Sequence, residues 1–237
     1  MLETDLRKPS PTGEYCCLAT LNLYDSPTCE VLATQGARGR HLRIASSTPV
    51  ESAIAVCLCE DDYPGWLPLA QVAQLEPAIA PYQPTVLSRT AIEEKLPQIL
   101  AFAQAARQQP NHYLWGGTTA PNYDCSGLMQ AAFSASGIWL PRDAYQQADF
   151  TQPIALEDLR PGDLIFFRQS TRINHVALYL GEGQYIHSSG KEMGRNGIGI
   201  DRLSGEGDRV SYSYSQQLYG AGRVVQSYQP QGLLRPS

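Results

Sequence analysis

Two spacings of apolar residues divide this chain. From Glu14 to about Ala80 the apolar positions come in short runs, YCCLATLNLY, HLRIAS, AIAVCLCE and GWLPLA, separated by Gly, Pro, Ser and Asp. No 3.6-residue period persists through them, so they predict several short strands and a small β-barrel. Residues 76–87, EPAIAPYQPTVL, carry Pro77, Pro81 and Pro84. Proline continues neither a ladder nor a helix and stiffens a linker. The predicted organisation is a strand domain over 14–80, a Pro-rich linker over 81–87 and a second domain over 88–228, with residues 1–13 a loose polar tail.

The second domain opens on helical spacing. Thr90 and Glu93 match a capping box. Pro97 predicts the end of a short first turn and the start of a main helix, whose apolar stripe is Ile99, Leu100, Phe102, Ala103 and Ala106. A Gly-rich turn, HYLWGGTTAPNYD, then leads into a helix from about Cys125 to Ser136, with Gly137 as its cap. The remainder switches to β-type runs. DLIFFR, HVALYLG and QYIHSS are joined by PGD and GEG turns, and GIGIDRL, VSYSY and GAGRVV extend the series. Helices first and an antiparallel sheet afterwards predict an α+β fold.

Composition narrows the classes. At 237 residues, 43% hydrophobic and 17% charged, the chain has the profile of an ordinary globular protein with a sizeable core. A net charge of −5 argues against a nucleic-acid partner. The lysines are Lys8, Lys95 and Lys191, too scattered for a polybasic membrane patch. No run approaches the roughly 18 apolar residues of a membrane span. MLETDLRKPSPTGEY has no apolar signal region, so the expectation is a cytoplasmic protein. The six cysteines include Cys-Cys and Cys-x-Cys pairs but no zinc-type knuckle. Neither a metal nor a cofactor is expected.

Cys125 stands apart within DCSGLMQAAF. At a helix N-terminus its thiol faces first-turn amides, which lower a cysteine pKa and can hold an oxyanion. A histidine is the second activating device. His41 reads as a surface strand residue and His112 as a residue serving a helix end. His175 starts HVALYLG and His187 follows QYI, with GEGQ between. Paired through that turn, the two would lie at one end of a hairpin, where one imidazole can orient the other. Spacing alone leaves equally open that they are two unrelated strand-end residues.

YLWGG at 113–117, DCSGL at 124–128, RPGDLIFF at 160–167, NHVALYLG at 174–181 and YIHSS at 185–189 occur in this order. Together they resemble the NlpC/P60 family of papain-like cysteine peptidases, over about residues 96–225. The resemblance implies Cys125 as nucleophile, His175 as general base and acid, His187 as the residue orienting it, and Tyr113 close to the nucleophile. It also implies cleavage between γ-D-glutamate and a diamino acid in bacterial cell-wall peptides, by way of an acyl-enzyme.

LATLNLYDSP and YPGWLPLAQVAQL resemble a bacterial SH3-like barrel. Chains with this domain order look like muropeptide-recycling enzymes, which take short murein tripeptides or tetrapeptides with a free N-terminal amine. In CEDDYPGW, Asp61, Asp62 and above all Tyr63 offer partners for such an amine; a solvated acidic turn is the equal alternative. LPRDAYQQ resembles a family loop facing Cys125. There Arg142 is expected to pair with a substrate carboxylate and Asp143 with the amine, or the two form a local surface pair. Asp124 and Ser126 are expected to shape the neighbouring subsite, although Ser126 also suits a helix cap. Arg142 or Arg195 would meet the extra carboxylate of meso-diaminopimelate; the sequence does not choose between that residue and lysine. The rival readings are acyl transfer by the same thiol and a non-catalytic binding module for cell-wall fragments.

Overall fold

The structure, a computed structural model, describes residues 10–232; the first nine residues of the expected tail lie outside the described residues. Among them two compact units form, one from residues 10–84 with 229–232, the other from residues 85–228. The chain passes from one to the other within the proline-bearing stretch.

The first unit is a seven-stranded antiparallel sheet. Its strands are β1 (Glu14–Cys17), β2 (Leu21–Tyr24), β3 (Leu32–Gly36), β4 (His41–Ile44), β5 (Ala53–Leu58), β6 (Pro64–Pro68) and β7 (Leu75–Pro77), in the order β3-β2-β6-β5-β4-β1-β7. Alternate side chains of these strands turn inward, as a pleated strand requires. They gather Leu21, Leu23, Leu42, Ile54, Leu58 and Leu67 into one buried cluster. This is the small strand domain the short apolar runs predict, and the resemblance implies that it is SH3-like.

The second unit begins with α1 (Arg89–Gln108). Ser88, not Thr90, caps it, its side chain accepting from the Ala91 amide. The expected break at Pro97 is absent, and the helix runs through it. Pro97 and Glu93, four residues earlier, are both exposed, so water can supply the donor that proline withdraws from the Glu93 carbonyl. A two-stranded ribbon, β8 (Thr118–Thr119) and β9 (Asn122–Tyr123), precedes α2 (Cys125–Ser134) and α3 (Ala144–Phe150). Gly137, at φ +76°, follows α2 in the left-handed conformation that closes helices.

The sheet of this unit comprises β10 (Gln152–Ile154), β11 (Leu164–Arg168), β12 (Ile173–Gly181), β13 (Gln184–Ser189), β14 (Gly197–Arg202) and β15 (Leu218–Arg223), in the order β10-β15-β11-β12-β13-β14. A further helix, α4 (Arg209–Ser215), precedes β15. It corrects the expectation of a strand at VSYSY.

Alternation along β11 and β12 separates two buried layers. Leu164, Phe166, Val176 and Leu178 pack with α1 and α2, where Ile99, Leu128, Met129 and Phe133 complete the main core. Ile165, Phe167, Ala177 and Tyr185 form the other layer with Val210 and Tyr214 of α4. The fold is α+β.

Candidate active site

Asp124 is the N-cap of α2. Its Oδ1 accepts from the Gly127 amide at 2.7 Å, and its Oδ2 accepts from the Gly116 amide at 2.9 Å. One carboxylate therefore starts the helix and ties down the YLWGG loop. Gly127 is needed for this closeness: a Cβ there would collide with the carbonyl oxygen of Gly117. Arg142 grips the same carboxylate, Nη2 to Oδ2 at 2.6 Å and Nη1 to Oδ1 at 3.1 Å. Arg142 Nη1 also donates to Ser126 Oγ at 3.0 Å.

This corrects the expectation for Arg142. The side chain is 2% exposed and engaged with Asp124 and Ser126, so it fixes the head of α2 and does not present its guanidinium to a substrate. Asp124 and Ser126 are buried beside it. Asp143 is the N-cap of α3, where Gln146 completes a capping box. Tyr145, two residues on, carries the Arg172 guanidinium 3.4 Å from its ring centroid.

Cys125 opens α2 and is buried. Its sulfur lies against the β12 backbone on either side of His175, 4.0 Å from the Asn174 carbonyl oxygen and in reach of the Val176 amide. The expected lowering of the thiol pKa is not found. Burial, and after it the neighbouring Asp124 carboxylate, push the thiol up to about 12 against the amides of Val176 and Ser126. The resting cysteine is a thiol, so a base must take its proton as it attacks. Tyr113 is partly buried nearby; burial, then Cys125 and Asp124, hold its phenol proton in place.

β12 and β13 pair as a hairpin with Leu178 opposite Ile186. His175 and His187 lie just beyond that pair at the same end. Their rings meet edge to face, His175 Nε2 standing 2.7 Å from His187 Nδ1. Tyr214 of α4 stacks on His175 with centroids 4.4 Å apart, and its hydroxyl meets Ser189 Oγ at 2.8 Å. Burial, then the adjacent His187, holds His175 well below its ordinary value; burial also lowers His187, against the opposing pull of Asp201. Both imidazoles are neutral and one is available as a base.

Sequence reasoning passed over Tyr214 and Asp201. Tyr214 sat in a run mistaken for a strand. Asp201 closes the alternating stretch GIGID, and an acid among inward-facing strand positions is the signal that would have found it.

His41 and His112 lie elsewhere. His41 Nδ1 meets Glu14 Oε2 at 3.1 Å on the strand sheet of the first unit, and His112 is exposed before the YLWGG loop. Asp62 and Tyr63 also belong to the first unit. Asp62 departs from a free acidic turn: its Oδ1 pairs with Arg43 at 2.9 Å and its Oδ2 accepts from the Gln231 amide. Asp61 is buried against Arg40 at 2.9 Å. Among the described residues no group of three or more His, Cys, Asp or Glu side chains is placed to hold a metal.

Cys125 at the head of α2, with the His175–His187 pair on the strands beside it, is the arrangement that the sequence resemblance implies. Residues 110–220 match the NlpC/P60 family model, and residues 23–72 match that of the bacterial dipeptidyl-peptidase SH3 domain. Residues 110–220 are thus similar to an NlpC/P60 domain, and residues 23–72 to an SH3 domain of that type.

It is 36% identical over 122 residues to a probable endopeptidase p60 of Listeria seeligeri, covering 52% of this chain and 21% of that protein. It is 44% identical over 79 residues to a Bacillus subtilis gamma-D-glutamyl-L-lysine dipeptidyl-peptidase, covering 32% of this chain and 27% of that one. The chain thus spans about a quarter of the length of these curated relatives. A solved NlpC/P60 family protein from Bacillus cereus aligns over 90% of this chain and 63% of its own, with a TM-score of 0.49 and 23% identity.

Proposed function

We propose that this protein is a cysteine endopeptidase that hydrolyses the bond between γ-D-glutamate and a diamino acid in short cell-wall peptides bearing a free N-terminal L-Ala. The observation that carries the reading is the His175–His187 contact at 2.7 Å, made from the strand whose backbone at Asn174 lies against the Cys125 sulfur. His175 takes the thiol proton as the sulfur attacks the γ-glutamyl carbonyl, and the amides at the head of α2 hold the developing oxyanion. His175 then protonates the leaving amine, the C–N bond breaks, and water hydrolyses the thioester with the same imidazole as base.

The matched SH3 type and the activity in the name of the Bacillus subtilis relative support the substrate class. We assign meso-diaminopimelate as the diamino acid and murein tripeptides or tetrapeptides as substrates, in cell-wall recycling. Asp143 is the residue we assign to the substrate amine. A cytoplasmic location suits six unbonded cysteines, and no described helix is long and apolar enough to cross a membrane.

Mass spectrometry of L-Ala-γ-D-Glu-meso-diaminopimelate after incubation tests the reading. The lysine analogue and the N-acetylated peptide run beside it, with Cys125→Ala as control. Free diaminopimelate released from the unblocked peptide by the parent and not by the variant is the expected result. Release from the acetylated peptide as well removes the amine requirement. Preference for the lysine analogue reassigns the diamino acid. A peptide left intact in every arm overturns the peptidase reading for this substrate.

A further inference from the structure

Behind the imidazole pair the hydrogen-bonded chain continues. His187 Nε2 stands 2.6 Å from Asp201 Oδ2, with both side chains buried. The other oxygen of Asp201 accepts from Arg195 Nη2 at 2.7 Å and from Ser211 Oγ at 2.8 Å. The carboxylate is thus held by two donors on one oxygen and turned to the ring with the other. Ser211 lies in the first turn of α4, the helix whose Tyr214 stacks on His175. Gly199, paired with His187 across the β13–β14 ladder, leaves room for Arg195; a Cβ there would collide with its guanidinium.

Hydrogen-bond logic assigns the protons. An ionised carboxylate only accepts, so the proton on His187 sits at Nε2. A neutral His187 then has a lone pair at Nδ1, and the 2.7 Å contact requires His175 to donate from its own Nε2. A neutral His175 with its proton there carries its lone pair at Nδ1. We infer that Asp201 is a positioning residue of this site: through His187 it fixes the tautomer of both rings and reserves Nδ1 of His175 as the base for Cys125. The inference rests on the proposed roles of Cys125 and His175. It extends the site to a fourth member and makes Arg195 and Ser211 its anchors.

The charged and titratable groups around the pair are Arg195, Asp208, Tyr185, Tyr214, Glu192 and Cys125. Arg195 also meets Asp208 at 3.3 Å, and that pair is exposed enough to be screened. Asp201 is therefore the charge that sets the proton order.

The test uses the full chain with isotope-labelled histidine, the resonances being assigned with single His→Gln variants. Ring-nitrogen NMR near neutral pH is expected to find protons on Nε2 of His187 and Nε2 of His175. A proton on Nδ1 of His187 overturns the inference, and this measurement needs no variant to fold. In Asp201→Asn the side-chain amide can donate to Nε2 of His187, reversing both rings and placing a proton on the nitrogen meant for Cys125. Alkylation of Cys125 by iodoacetamide, read by peptide mass spectrometry, is expected to slow by about tenfold or more near neutral pH, the gap closing at alkaline pH. No gap, or one independent of pH, overturns the inference. The stated tautomers and alkylation profile, found with a cell-wall peptide that is not cut, support the relay and remove only the substrate.

Discussion

Arg142 and Asp124 form a buried two-nitrogen, two-oxygen clamp at 2.6 and 3.1 Å that sets where α2 begins. Removing one member leaves the other charge buried without its partner, which costs about 3–5 kcal/mol. Arg142→Met is expected to destabilise the protein by that order in denaturant unfolding. Arg142→Lys keeps the charge but loses the fork, and is expected to recover only part of the loss. A variant with unchanged stability would mean that solvent or another group satisfies Asp124.

Gly127→Ala provides a cleaner reading of the same region. In an open helix alanine gains about 1 kcal/mol over glycine. Here the added methyl meets the Gly117 carbonyl, a backbone atom that cannot swing away. The clash dominates, and a net loss of about 1–3 kcal/mol or more is expected. Cleavage of the unblocked tripeptide should fall along with it, because the methyl displaces the helix head that carries Cys125.

Acid should weaken the fold in two stages. His175 and His187 are held below 6.5 in the folded protein, so the unfolded chain binds more protons as pH falls past that value. Their contribution is complete above about pH 6.5 and is lost below it, by up to about 1.4 kcal/mol per pH unit for each ring that titrates. Asp201 adds to the loss in the same sense, at lower pH. Burial alone would raise its pKa, but the bonds from His187 and Ser211 and the charge of Arg195 lower it below 3.8. Its contribution is present above that value and is lost as pH falls through the folded pKa. Denaturation followed from neutral to acid pH should show the first loss in the parent and a shallower one in His175→Gln.

Thiol chemistry should sort the cysteines by neighbour rather than by exposure. Cys16 and Cys29 are partly exposed with thiols raised chiefly by burial, whereas Cys125 is buried against the strand backbone that flanks His175. In His175→Gln, labelling of Cys125 near neutral pH is expected to fall by about tenfold or more while Cys29 is unchanged. Equal labelling of Cys125 in both proteins would deny His175 its role as base.

Tyr214 separates packing from hydrogen bonding. Tyr214→Phe keeps the ring stacked on His175 and gives up the contact with Ser189, a change of about 1–2 kcal/mol. Tyr214→Ala removes the floor under both imidazoles, and Cys125 alkylation should drop much further than in Tyr214→Phe. If the two variants alkylate alike, the ring is not what holds the pair.

The sequence carries the strands and the motif-bearing turns because their signals are local. Alternation marks HVALYLG and QYIHSS, and a two-glycine turn joins them, so the meeting of His175 and His187 was readable as one of two possibilities. VSYSY was misread because it mimics period two over a very short span; its burial of Val210, Ser211 and Tyr214 follows a helical turn set by the sheet beneath. Pro97 misled because a proline rule was applied without knowing which side of the helix meets water. Arg142 was misassigned for a related reason. RDxxQQ shows an arginine near the cleft, but only the fold turns it back onto Asp124. The thiol was misjudged because its burial, unlike the helix head, leaves no mark in the local sequence.

The way Asp124 is held bears on when the protein acquires a reactive centre. Its carboxylate joins Gly116, Gly127 and Arg142, while the histidine chain runs through β12, β13 and β14 to Asp201 and is braced by α4. A ribosome that has released Cys125 has not yet made the residues that order its protons. On the proposed roles, the nascent chain therefore emerges with an ordinary cysteine, and the groups that order its protons are complete only once α4 has been made.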